Sequence, residues 1–210
     1  AEFRRALEMR PDFAEAHSNL LLCLHYRKGD DARVMYEAHL EWARRHARDL
    51  PRAVHAGRAP APARRLKIGY LSPNFQHHAV AWSIEPVFAA HDRSRFRPFF
   101  YSTVANPDAV TRRFMLLCDE WRDIHATSDD AAARMIRQDR IDILVDLAGH
   151  TGGGRPLLFA RRPAPVQVNW QGYPNTSGLA QMDYRITDAY ADPEGEADRH
   201  HTEKLLRLAS

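Results

Sequence analysis

The stretch IDILVDLAG, residues 141–149, constrains the fold more than any other part of this chain. It is apolar almost throughout, short, and closed by a glycine. Such a run is the mark of a strand covered on both faces, which is the condition of a parallel sheet flanked by helices. The segments around it agree. RLKIGYLS (65–72), RPFFYSTV (97–104), WRDIH (121–125), PVQVNW (165–170), DYRITD (183–188) and LLRL (205–208) read as strands. Helical patterns fall between the earlier ones: about Val80 to His91, Asp108 to Cys118, and a helix capped by Ser128. This alternation predicts an α/β class with a Rossmann-like parallel sheet over 66–210, in which ligands bind beyond the carboxyl ends of the strands. Ile68, Tyr70, Phe99, Phe100, Ile143, Val145 and Val168 are its expected core.

Residues 1–50 carry a different period. Phe3, Ala6 and Leu7 mark one helical face, and Phe13, Ala16, Leu20 and Cys23 or Leu24 the next. Pro11 is expected to open the second helix and the Gly29-Asp30 pair to end it. A third helix, about Asp31 to Leu50, carries Val34, Tyr36, Leu40 and Trp42 until Pro51 stops it. Residues 51–65 hold three Pro, five Ala and one Gly without periodicity and read as a linker. The basic excess is concentrated there: Arg44 to Arg65 contains seven Arg and one acid, while the whole chain is only +3. No aromatic residue interleaves that run, so a solvated connector is favoured over a nucleic-acid surface. No apolar run approaches the roughly 18–20 residues of a membrane span, and AEFRRALEMR lacks the apolar centre of a secretory signal. Cys23 and Cys118, far apart and within apolar patterns, are expected as two buried thiols of a reducing, cytoplasmic compartment.

Four loops follow strands closely enough to carry chemistry. The first contains His77 and His78, acid–base candidates because imidazole titrates near neutrality, or else ordinary surface histidines. Metal binding is disfavoured, since no Cys or carboxylate stands at ligand spacing. The second runs from Asp146 through His150, Thr151, Gly152 and Gly153 to Arg155, ahead of a helix. Its glycines let backbone approach a ligand, or make a flexible turn; the spacing is neither a Walker loop nor GxGxxG. The third, Trp170 to Gly178, combines turn formers with Tyr173, Pro174, Thr176 and Ser177 in the manner of a polar substrate-facing loop. Asp183-Tyr184, in the fourth, is expected to be structural. Arg161-Arg162 could steady a phosphate but is expected to be a solvated helix end.

Taken together, RLKIGYLSPNFQHH, ILVDLAGHTGGGRP, LFARRPAPVQVNWQGYPNTSG and MDYRITD, in that order, resemble the protein O-GlcNAc transferases and their bacterial, SPINDLY-like relatives over Leu66 to Leu208. The spacing of Phe3, Ala6, Leu7, Pro11, Ala16, Asn19 and Leu20 resembles the end of one tetratricopeptide repeat and the start of another, as this family carries upstream of its catalytic region. The Arg- and Ala-heavy composition, with only Lys28, Lys67 and Lys204, fits a GC-rich bacterial genome. The resemblance implies the first lobe of a GT-B glycosyltransferase of inverting stereochemistry. It would move N-acetylglucosamine from UDP-GlcNAc to Ser or Thr hydroxyls of protein or peptide acceptors reached through the repeat helices, with no metal and no cofactor besides the donor. His78 occupies the position of the family's proposed catalytic histidine. His77, Asp146, His150, Thr151, Gly152, Gly153, Tyr173, Pro174, Thr176 and Ser177 fall in its substrate-binding loops. The chain departs from the family at His77-His78-Ala79, where Pro often follows the histidine, and at His150, Gly152 and Asn175. Nothing after Asp188 resembles the second lobe, so the chain is expected to be a fragment without transfer activity of its own. Fucosyl or glucosyl transfer within the same family, and a non-catalytic repeat adaptor, are the alternatives.

Overall fold

The structure, a computed structural model, describes residues 2–27, 29, 31–55 and 64–209. Three helices come first: α1 (Glu2–Met9), α2 (Ala14–Leu24) and α3 (Ala32–His46). Then β1 (Leu66–Ser72), α4 (Ala79–Ala89), β2 (Phe96–Ser102), α5 (Ala109–Leu117), β3 (Glu120–Asp123), α6 (Asp129–Asp139) and β4 (Ile143–Asp146) alternate. The chain continues through α7 (Pro156–Ala160), β5 (Val166–Trp170), β6 (Tyr184–Asp188), a 3-10 turn at Ala197–His200, and β7 (Lys204–Leu208). The strands form one sheet in the order β3-β2-β1-β4-β5-β6-β7, with every pairing parallel.

Period-two alternation divides the core between the two faces of this sheet. Ile68, Tyr70, Phe100, Val145 and Val168 point to the side covered by α4 and α5, where Phe75, Phe88 and Phe114 complete an aromatic cluster. Leu71, Phe99, Tyr101 and Leu144 point to the other, beneath α6 and α7. Local signals set the helix ends. Asp108 and Thr111 form a reciprocal capping box at α5, Ser128 caps α6, and Arg140 ends α6 in the left-handed region.

The second face has an extra layer. Leu21 of α2, together with Trp42 and Ala47 in and just after α3, belongs to the same buried cluster as Leu158, Phe159, Ala160 and Leu179. The Trp42 indole N–H, fully buried, donates to the Ala14 carbonyl at 3.1 Å. The helical hairpin and the sheet therefore share one core, whereas the sequence suggested two units joined by a connector. The ends of that connector are docked. The Ala53 N–H donates to the Arg161 carbonyl and the His55 ring to the Arg162 carbonyl, while Arg64 makes a bidentate pair with Asp142. Its middle, 56–63, lies outside the described residues, as does Asp30 of the expected helix stop.

Several expectations need correction. Pro11 and Asp12 lie in a turn, and α2 starts only at Ala14. Its buried residues are Ala16, His17, Ser18 and Leu21, and Cys23 is exposed. In α3 the inward residues are Met35, His39 and Trp42, while Val34 and Leu40 face solvent. Cys118 is half-buried, its thiol pushed up to about 11 by desolvation. Arg162 is neither a free phosphate clamp nor a solvated end. It donates to the Gln181 and Pro165 carbonyls and to Asp183, which also accepts from the Gln167 N–H. Among the described residues no helix is long and apolar enough to cross a membrane.

Candidate functional site

The strand order reverses between β1 and β4, whose carboxyl ends meet at the Leu71–Asp146 register pair. In open parallel sheets a crevice forms at this switch point. The loop after β1 enters it on a rigid stem. Ser72 Oγ accepts from the Asn74 N–H, and Phe75, fully buried, stacks on Phe100 at 4.9 Å. The His77 N–H donates to Asp108, whose carboxyl is held near 2 by the backbone N–H groups of Thr111 and His77. His78 is the N-cap of α4: its Nδ1 accepts the Val80 N–H at 3.1 Å, and the residue is exposed. That bond has a chemical consequence. With the Nδ1 lone pair occupied, a neutral ring carries its proton on Nε2. In this geometry His78 offers a hydrogen-bond donor at Nε2.

The glycine loop after β4 folds back on Asp146, which accepts from the Ala148 and Gly149 N–H groups. Asp146 is fully buried, and desolvation raises its carboxyl to about 6. Gly149, at φ +55°, lies so close to Tyr173 that a Cβ would sit 2.6 Å from that side chain. Pro73 of the first loop packs on Gly153, and Thr103 Oγ1, after β2, donates to the Gly153 carbonyl at 3.3 Å. Gly152 faces open space.

The loop after β5 is tied down at both ends. Glu203, buried just before β7, accepts from the Thr176 hydroxyl at 2.6 Å, from the Ser177 N–H at 2.7 Å and from the Ser177 hydroxyl. Arg185 of β6 donates to the Tyr173 and Asn175 carbonyls and pairs with buried Asp192 at 3.0 Å.

Histidines of the hairpin complete the arrangement. His150 has both ring nitrogens engaged, to the Ser177 carbonyl at 2.9 Å through Nε2 and to Ser18 Oγ at 3.0 Å through Nδ1. His39 bonds the Met35 carbonyl through Nδ1 and the Tyr173 hydroxyl through Nε2, both at 2.6 Å. Burial lowers His39 to about 4 and His150 to about 3, so both rings are neutral. His17 and His46 bond each other at 2.9 Å beside Trp42, and burial brings His17 to about 4.

The residues singled out from sequence therefore separate into two groups. Asp146, His150, Thr176 and Ser177 are at most 2% exposed and have their side-chain groups bonded inside the protein. Tyr173 is likewise buried and its hydroxyl is spent on His39 and His25. Thr151, Gly152 and Gly153 line a cleft of about 360 Å³ shared with Glu15 and Asn19 of α2 and with Arg155. Pro174 and Tyr173 border a second, about 390 Å³, with Gln171, Thr187 and Asp188. His77 and His78 lie exposed at the start of α4. A larger cavity of about 880 Å³ lies at the amino-terminal ends of β1, β4 and β5, the edge away from the switch point, and is not the reading favoured by strand direction. Sequence reasoning missed Ser18, His25, His39, Arg185 and Glu203. The hairpin residues had a signal, polar side chains at helical spacing on an inward face; Glu203 had none.

Residues 23–210 match the model of glycosyl transferase family 41. A Thermobaculum terrenum O-GlcNAc transferase, solved as its K341M mutant, superposes with a TM-score of 0.93 at 43% identity, covering 99% of this chain and 40% of that one. A Solanum lycopersicum protein named "Probable UDP-N-acetylglucosamine--peptide N-acetylglucosaminyltransferase SPINDLY" is 43% identical over 207 residues, 96% of this chain. A Caenorhabditis elegans UDP-N-acetylglucosamine--peptide N-acetylglucosaminyltransferase is 40% identical over 159 residues, 74% of this chain and 14% of its own length. The chain spans 22% of the tomato protein. A match that runs from within α2 to the last residue, through both loops of the switch point, leaves one conclusion: the chain belongs to glycosyl transferase family 41.

Proposed function

We propose that this chain is the amino-terminal lobe of a GT-B protein glycosyltransferase, with the last helices of a tetratricopeptide array attached, and that the whole protein transfers N-acetylglucosamine from UDP-GlcNAc to Ser or Thr hydroxyls. The observation that carries the reading is the superposition on a bacterial O-GlcNAc transferase across 99% of the chain at 43% identity. In an inverting transfer the acceptor oxygen bonds to the anomeric carbon as the bond to UDP breaks, and the hydroxyl proton must leave. This lobe supplies the acceptor side of that reaction. Thr151, Gly152 and Gly153 border the cleft that α2 shares, a path for an extended peptide arriving from the repeats. His77 and His78 stand at the carboxyl end of β1, where the Nε2–H of His78 can hold an oxygen of the reacting pair. The remaining loop residues, Asp146, His150, Tyr173, Pro174, Thr176 and Ser177, shape the cleft walls. Contacts to the nucleotide come from the second lobe, and the protein works in the cytoplasm without a metal.

A transfer assay with radiolabelled donors tests this. The full-length protein is expected to label Ser/Thr peptides from UDP-GlcNAc and not from UDP-glucose or GDP-fucose, and the 210-residue chain to label nothing. Turnover with another donor alone would reassign the sugar, and turnover by the isolated chain would overturn the division of labour. His78→Ala in the full-length protein is expected to lower kcat at least about tenfold; unchanged turnover would remove it from the reaction.

A further inference from the structure

The loop from Tyr173 to Gly178 forms one wall of the site, yet much of what holds it comes from the hairpin of α2 and α3. Two hydrogen-bond chains make the connection, and each has a fixed direction. A carbonyl can only accept, so the proton of His39 lies on Nδ1, facing the Met35 carbonyl. Its Nε2 is then bare, and the Tyr173 hydroxyl at 2.6 Å must donate to it. The hydroxyl oxygen remains free to accept, and His25 Nε2 lies 3.2 Å away to donate. The first chain therefore runs His25 to Tyr173 to His39 to the Met35 carbonyl. The second starts from the Ser177 carbonyl, which forces the proton of His150 onto Nε2. Nδ1 is bare and accepts from the Ser18 hydroxyl at 3.0 Å. Ser177 passes the chain on, donating its N–H and hydroxyl to Glu203. Contact is as close as the bonding. A Cβ on Gly178, at φ +72°, would stand 2.5 Å from the His39 carbonyl oxygen.

We propose that His39 and Ser18 are positioning residues: through Tyr173 and His150 they hold residues 173–178 in the conformation that the sugar-transfer site uses. The role in transfer rests on the transferase reading; the holding of the loop does not. A displacement of the hairpin by whatever the repeat array binds is thereby felt at the site through the loop, without the array touching the reacting atoms.

The test uses the full-length protein and two readouts, amide hydrogen exchange across 171–178, and kcat and KM with UDP-GlcNAc and a short Ser-containing peptide. His39→Asn keeps a donor for the Met35 carbonyl and strips Tyr173 of its acceptor. Tyr173→Phe removes the hydroxyl and keeps the ring that packs on Gly149. Each is expected to speed exchange in 173–178 at least about tenfold, leave α6 unchanged, and lower kcat about tenfold with the donor KM within about twofold. His39→Gln, which returns an acceptor oxygen near the Nε2 position, is expected to recover most of both, and Ser18→Ala to show a smaller effect of the same kind. Unchanged exchange in the loop overturns the proposal, as does faster exchange with wild-type kcat, or a Gln variant no better than Asn. Should His39→Asn fail to fold, Tyr173→Phe decides. Should the wild type transfer no sugar, the transferase reading falls and exchange alone decides whether the hairpin holds the loop.

Discussion

Asp146 ends β4 with its side chain out of water, and its neighbours only partly compensate. The Ala148 and Gly149 N–H groups favour the carboxylate, but desolvation is the larger effect and leaves the carboxyl near 6. A raised carboxyl pKa means that the folded chain binds more protons than the unfolded one between about 3.8 and 6. The stabilisation is full below that window and is lost as pH rises through 6. Asp146→Asn retains an oxygen for both amides and removes the charge. It is expected to raise stability by roughly 3 kcal/mol at pH 8 and by only about 1 kcal/mol at pH 4.5, as read from urea unfolding at the two values. Glu203 shows the opposite solution to the same problem. Also buried, it accepts from Thr176, from Ser177 twice and from Thr202, so its oxygens are surrounded by donors.

The helical hairpin shows where a pattern reading of sequence succeeds and where it slips. The helices and the strand–helix alternation were legible, because apolar periodicity reports burial directly, but the third helix, expected to run to Leu50, ends at His46. The rotation of α2 and α3 was not legible. Met35, His39, Trp42 and His46 recur at spacings of four, three and four, an unbroken helical stripe, but two members are histidines and so dropped out of an apolar count. Val34 and Leu40 took their place in the reading and prove to be exposed. The loop motifs were legible as motifs; which side chains point inward was not, since that depends on Glu203 and His39, remote in sequence. The buried histidines also make this element sensitive to acid. His17, His25, His39, His46 and His150 are all lowered from their ordinary value by burial, with Arg45 beside His17 and His46 and Arg185 beside His25 adding to the effect, while Glu41 and Glu203 oppose it. A lowered histidine binds fewer protons folded than unfolded, so its contribution is full above about 6.5 and is lost as pH falls toward 4. Urea midpoints are expected to drop steeply between pH 6.5 and 4.5. The slope is expected to be shallower in a His17→Gln, His39→Gln double variant, each histidine accounting for up to about 1.4 kcal/mol per pH unit. Asp146 offsets part of this drop below pH 6.

At the scale of the whole chain, the hairpin is a layer of the domain. Trp42, Leu21 and Ala47 lie in one buried cluster with Leu158, Phe159, Ala160, Ala164 and Leu179, and the His150 ring sits 4.6 Å from that of Trp42. Removing residues 1–50 would uncover this face. The shortened chain is expected to be recovered mainly as aggregate, and any soluble fraction to bind a hydrophobic dye and to lack a cooperative thermal transition. A sharp transition in a soluble 51–210 chain would show that the sheet folds alone. The shared core also bears on where this chain can be cut or spliced. A graft that replaces α2 and α3 would have to supply the indole of Trp42 to the cluster beneath it and the imidazole of His39 to Tyr173. A splice placed between His46 and Leu66, where the helical pattern of the sequence gives out, would part those groups from the core they complete.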